Sequence, residues 1–194
     1  MEGVRAVIFD MDGTLVDSNY DWPTIRRILG VDSGSIIDEL TGLPEPARTA
    51  RLAELEVIEA EATRGASIYE GAAELLELLA ERDLATALVT NNNETNTSRL
   101  LDRFGLNFEV VLTRDSGLWK PSGAPVAEAA RRLGIPPDQC LGVGDSHYDI
   151  LAARDAGLCA VCMLHDGAAR HNGDADLSFE DIPEFLRYLK TVLP

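Results

Sequence analysis

The chain has 194 residues, 45% of them hydrophobic, and a formal net charge of −16. Such a length suits one sizeable core with a small appended unit, and such acidity excludes non-specific binding to nucleic acid or anionic membranes. No apolar run is long enough to span a bilayer, and Cys140, Cys159 and Cys162 do not make a disulfide framework.

The first predicted element is a strand over residues 4–9, an apolar run that ends abruptly at Asp10 and Asp12, with Gly13 and Thr14 following. Its apolar residues belong to the strand rather than to a signal peptide, so a cytoplasmic location is expected. Two carboxylates one residue apart repel, and a divalent cation, a shared proton or an incoming reaction must offset that cost. About seventy residues then intervene before the second strand, far more than one crossover helix needs. Helical patterns over 24–29, 35–40 and 46–63 fill that interval. In the longest, Ala47, Ala50, Leu55, Ile58 and Ala62 are expected to share an apolar face. Residues 21–65 therefore read as a helical cap inserted into a core made of residues 1–20 and 66–194, placed above the carboxyl end of the first strand.

Beyond the insert, helix and strand alternate. Helices are predicted at Ala72–Glu81, 95–104, Ala124–Leu133 and Ile182–Val192, and strands at 84–89, 108–112, 140–143 and 159–164. The strands are near-continuous apolar runs, as in a sheet covered on both faces. The expected fold is α/β: a three-layer, Rossmann-like core with a mostly parallel sheet. Cys159 and Cys162 lie three apart on a strand, point to opposite faces and read as core thiols rather than a redox pair.

Chemistry-bearing residues gather where such a sheet delivers them, at strand carboxyl ends. Thr90 and Asn91 follow the second strand of the core and open a helix, a setting able to hold an anion. Lys120 precedes Pro121, and Asp145 and Asp149 follow the strand at 140–143. Together Asp10, Asp12, Asp145 and Asp149 are a hard oxygen donor set suited to Mg²⁺. His147 reads as a helix N-terminal residue, and His165, Asp166, His171 and Asp174 as a polar loop without metal-ligand spacing.

The order Asp10-x-Asp12-Gly13-Thr14, Thr90-Asn91, Lys120-Pro121, Gly144-Asp145-Ser146-x-x-Asp149 resembles the haloacid dehalogenase-like phosphohydrolase superfamily, and the helical insert resembles its phosphoglycolate phosphatase and β-phosphoglucomutase branch. The resemblance covers the whole chain. It implies an Mg²⁺-dependent phosphatase acting on a small phosphorylated metabolite, as a monomer or homodimer. Asp10 would be the nucleophile that forms an aspartyl-phosphate and Asp12 the general acid and base. Mg²⁺ would be held by Asp10, the Asp12 carbonyl, Asp145 and Asp149. Thr90, Asn91 and Lys120 would hold the phosphate, Lys120 being counted with the catalytic residues. The alternatives within this resemblance are a phosphosugar mutase and a non-catalytic binding module. The intact Asp12 argues against dehalogenation, and the absence of lysine from residues 21–65 against a Schiff-base phosphonate hydrolase. Arg26, Arg27, Arg48 and Arg51 are the cap's candidates for a second anionic group on the substrate.

Overall fold

The computed structural model describes residues 3–163 and 175–193, leaving the loop residues His165, Asp166, His171 and Asp174 and the side chain of Cys162 outside the described residues. Six parallel strands form the main sheet: β1 (Ala6–Phe9), β4 (Ala85–Val89), β5 (Val110–Leu112), β6 (Cys140–Gly144), β7 (Cys159–Met163) and β8 (Leu177–Phe179). Their order is β5-β4-β1-β6-β7-β8, so β1 is paired on both sides, Phe9 lying opposite Leu88 and Val143. The chain builds outward from β1 through β4 and β5, then restarts at β6 on the other side. The change of direction opens a crevice at the carboxyl end of β1, where open α/β sheets bind ligands.

Alternation along β1 feeds two cores. Val7 and Phe9 pack toward α4 (Ala72–Glu81), α5 (Glu94–Phe104) and α8 (Ile182–Val192), through Leu75, Leu79, Leu100 and Phe185. Ala6 and Ile8 pack toward α6 (Ala124–Leu133) and α7 (His147–Asp155), through Val126, Ala129, Ile150 and Ala153. This is the three-layer α/β architecture expected from the apolar runs. The expected count of five strands is corrected to six. β8 is three residues long, and of its residues only Phe179 is buried, too short an edge strand for a periodic signal.

Between β1 and α4 the chain forms α1 (Trp22–Leu29), α2 (Ile36–Thr41) and α3 (Ala47–Gly65). Asp21 caps α1 by accepting from the Thr24 N–H, and Ser35 caps α2 by accepting from that of Asp38. Ile25, Leu29, Ile36, Ile37, Leu40 and Leu55 form a third apolar cluster, separate from the two sheet cores. A short antiparallel pair, β2 (Val16–Asp17) with β3 (Ser67–Ile68), ties the entry and exit of this helical segment together. The face expected on α3 is corrected. Ala47 and Ala50 are exposed, and the buried stripe is Leu55, Glu59 and Thr63. A buried glutamate breaks the apolar periodicity because its partner comes from a distant part of the sequence. Among the described residues no helix is long and apolar enough to cross a membrane.

Candidate active site

Asp10 leaves β1 with its backbone N–H bonded to the Val143 carbonyl (2.8 Å), which fixes it beside the end of β6. The turn that follows places Gly13 at φ +87°, and a Cβ there would lie 2.4 Å from Asp145 Oδ2. Only glycine meets both conditions. Gly13→Ala is therefore expected to cost about 1–3 kcal/mol of stability, measured as a lowered urea midpoint; an unchanged midpoint would refute the steric argument. Gly144 shares the close-approach condition alone, since an added Cβ there would lie 2.2 Å from Asp149 Cβ.

Carboxylate oxygens of Asp10, Asp145 and Asp149 lie within 4.8 Å of one another. Lys120 Nζ enters this cluster, donating to Asp10 Oδ1 (2.6 Å) and to Asp149 Oδ1. Burial pushes the Asp10 carboxyl well above its ordinary range; Lys120 opposes the rise, and Asp149, Asp145 and Asp12 add to it. Burial and then Asp149 push Asp145 up to about 7. For Lys120, burial favours the neutral amine, but the two facing carboxylates outweigh it and hold the ammonium charged above the usual lysine range. Asp149 closes a capping box at the start of α7, taking the Ser146 N–H (3.0 Å) and hydroxyl. The donor set is all oxygen and over-supplied with negative charge relative to one lysine, which fits a hard divalent cation.

Asp12 points to a different set of partners. Ser18 donates to Oδ1, and Asn92 (3.1 Å) and Thr90 (3.5 Å) donate to Oδ2. Burial still raises its carboxyl above the ordinary range against those hydrogen bonds. Asn92 also donates to the Tyr20 hydroxyl (3.0 Å).

Asn91, expected to bind phosphate, lines the same cavity as the acidic residues and is bonded to the backbone of Lys120. Its Nδ2 donates to the Lys120 carbonyl (2.8 Å) and its Oδ1 accepts from the Lys120 N–H (2.8 Å). The carboxamide thus holds the lysine's backbone with one donor and one acceptor, and Asn92 is the amide that hydrogen-bonds a carboxylate of the site. The run of three asparagines carried no signal separating these roles, except that Asn93 caps α5, as expected of the last residue before a helix.

One cavity of about 470 Å³ gathers the parts. Asp10, Asp12, Tyr20, Thr90, Lys120, Asp145 and Asp149 line it from the core, and Trp22, Arg26, Ile37 and Leu55 from the helical insert. Of the four arginines singled out in the insert, Arg26 alone lines this cavity. Its Nη2 donates to the Gly34 carbonyl (2.7 Å), and its Nη1 is buried with no hydrogen-bond partner among the described residues. Arg48 pairs with Glu45 and Arg51 with Glu54 at the surface, and Arg27 is exposed beside Thr24.

Two further residues were not legible in the sequence. Glu59 of α3 and Arg114, just beyond β5, form a two-pronged ion pair, with Nη2 to Oε2 at 2.7 Å. Each side chain is 7% exposed. The carboxylate also accepts from Asn93 (2.9 Å), and Arg114 donates to the Asn91 carbonyl (3.1 Å).

Known proteins resemble this chain in sequence and in fold. The profile of the haloacid dehalogenase-like hydrolases matches residues 34–157. A phosphoglycolate phosphatase of Rhodospirillum rubrum is 31% identical over 83% of this chain and 80% of its own length. A Saccharomyces cerevisiae hydrolase of uncharacterised activity is 26% identical over 99% of this chain and 94% of its own. A hydrolase from Pseudomonas syringae superposes with a TM-score of 0.81 at 23% identity, covering 97% of this chain and 99% of that one. With its paired aspartates at the end of β1 and its profile match across more than half the sequence, the chain belongs to the haloacid dehalogenase-like hydrolases.

Proposed function

We propose that the protein is a phosphoric monoester hydrolase that removes phosphate from a small metabolite through a phosphorylated Asp10, with residues 21–65 as the cap and the rest of the chain as the catalytic core. The observation that carries this reading is the convergence, in one cavity, of a carboxylate held by a lysine, a second carboxylate raised by burial and an acidic cluster able to take a cation.

The carboxylate of Asp10 attacks phosphorus, forming an O–P bond as the ester P–O bond breaks. Asp12, whose carboxyl is raised above its ordinary range by burial, gives a proton to the departing alkoxide. It then takes a proton from the water that hydrolyses the acyl phosphate, releasing inorganic phosphate and restoring both residues. Lys120 and Thr90 orient the transferring oxygens and offset their charge. Asp10, Asp145 and Asp149, with the Asp12 carbonyl, are the groups that would hold Mg²⁺, which supplies the charge neutralisation an anionic nucleophile needs to approach a phosphate.

Arg26 gives the cap side of the cavity a cation, so the favoured substrates carry a second anionic group, as phosphoglycolate does in the relative named for it. Arg26→Gln is expected to raise KM about tenfold for such esters, the value of one charge-assisted hydrogen bond. The KM for p-nitrophenyl phosphate stays nearly constant. An equal rise for both substrates would remove Arg26 from recognition.

The test of the whole reading is phosphate release from p-nitrophenyl phosphate and from a panel of small phosphate monoesters, with Mg²⁺ and with EDTA. Release that requires the divalent cation is expected. Silence across the panel overturns the assignment, and return of phosphate to a sugar isomer would make the protein a mutase.

A further inference from the structure

The catalytic lysine is held by its backbone, and that hold leads to the cap. Asn91 grips both the N–H and the carbonyl of Lys120 at 2.8 Å. The Asn91 carbonyl in turn accepts from Arg114 (3.1 Å), and Arg114 is locked by Glu59, a residue of cap helix α3. On the other side of Lys120, the adjacent Trp119 packs into the cap's own apolar cluster and donates its indole N–H to Asp38 of α2. The cap therefore reaches the residues around Lys120 by two independent routes, the Glu59–Arg114 ion pair and the seat of Trp119. Glu59 and Asn91 line the cavity, but the hydrogen bonds of these two routes do not go to Asp10 or Asp12.

We propose that Arg114 is a positioning residue. Clamped by Glu59, it holds Asn91 and through it Lys120, so that seating of the cap on the core sets the alignment of the catalytic lysine. The proposal rests on the phosphatase reading for the role of Lys120 in turnover, but not for the mechanical coupling itself. A buried, fork-to-fork ion pair is a costly way to fasten a helix. An apolar pair of similar volume would hold it as well or better. What the ion pair adds is direction: a guanidinium can hold a carboxylate with two donors and still give one hydrogen bond to a backbone carbonyl. Arg114 uses it to reach Asn91. When the cap lifts and Glu59 withdraws, Arg114 loses the partner that fixes its plane, and Lys120 loses the far end of its support.

The chain has only two lysines, Lys120 and Lys190. Lys190 is half exposed, pairs with Glu74 and does not line the cavity, and Lys120 is 4% exposed. Competitive acetylation read by mass spectrometry therefore reports on Lys120 with an internal reference, and needs no substrate. The variant is Glu59→Gln/Arg114→Met, which removes both charges together and leaves neither buried alone. Acetylation of Lys120 relative to Lys190 is expected to rise several-fold. With p-nitrophenyl phosphate, kcat is expected to fall about tenfold or more, as misplacement of a catalytic group predicts, with KM changed less. Leu106→Ala, a large-to-small change in the core beyond α5 and away from α8, serves as a destabilised comparison that leaves the clamp and the Lys190 reference in place. Unchanged Lys120 labelling in the double variant overturns the proposal, as does an equal rise in Leu106→Ala. If labelling responds but the wild type releases no phosphate from any ester, the coupling stands and the phosphatase reading fails.

Discussion

Asp10→Asn is expected to abolish turnover, lowering kcat by at least about 10⁴-fold, because it removes the atom that attacks phosphorus. The fold is expected to survive intact. Asp10 is one of two buried carboxylates paired with one lysine, with the half-buried Asp145 close by, and its burial and acidic neighbours raise its pKa. Replacing it with a neutral amide relieves that repulsion, and the amide oxygen can still accept from Lys120. The thermal midpoint should therefore be equal to or above that of the wild type. Initial rates with p-nitrophenyl phosphate and thermal unfolding measure the two effects. Acid-quenched wild-type protein should carry phosphate on the peptide containing Asp10, and the variant none. Retained activity would transfer the nucleophile's role to another residue.

Lys120→Met is expected to have the second-largest effect, and in both respects. Its ammonium serves Asp10 and Asp149 together. Without it, two carboxylates are left buried with no cation, at a cost of about 3–5 kcal/mol, typical of breaking a buried pair from one side. Turnover should fall by about 10²–10³-fold, the usual effect of removing one fixed electrostatic stabiliser. The sign of the Mg²⁺ response separates this account from simple loss of packing. A cluster relieved of its lysine binds a divalent cation more tightly, and a ligand that binds only the folded state raises its stability. Millimolar Mg²⁺ should therefore raise the unfolding temperature of Lys120→Met by more than that of the wild type. An equal or smaller rise would show that Lys120 and the cation do not share the acidic cluster.

The legible parts of this molecule are those in which local sequence and tertiary role agree. The apolar runs at β1, β4 and β6 read as covered strands because both their faces are buried. Helices α4, α6 and α8 read correctly because each sets an apolar stripe against the sheet. Asp10, Asp12, Lys120, Asp145 and Asp149 were recognisable because strand carboxyl ends deliver them to one crevice, and their order along the chain has a known counterpart. What escaped was interaction between distant segments. Glu59 is one of several charged residues on α3, with nothing in the local pattern to single it out. It is buried because Arg114, 55 positions later, neutralises it, and no periodicity encodes that. Asn91 and Asn92 are chemically identical, and the direction of the backbone after β4 decides which one faces Asp12. β2, β3 and β8 are two or three residues long, shorter than the window over which alternation can be recognised.

The pairing of Val16 with Ile68 and of Asp17 with Ser67 has a consequence for how such proteins diversify. It brings the two ends of the inserted helices side by side on the core, so the core sees the same two stubs whatever lies between them. Lengthening a closed loop adds little entropic cost, roughly 0.6 kcal/mol per doubling. Helices can therefore be gained, lost or exchanged at this point while the β1 crevice keeps its shape. Transplanting the segment between Asp17 and Ser67 into a relative would carry Arg26 and its cavity wall as a unit. The donor's Glu59 would then need an Arg114 waiting in the recipient.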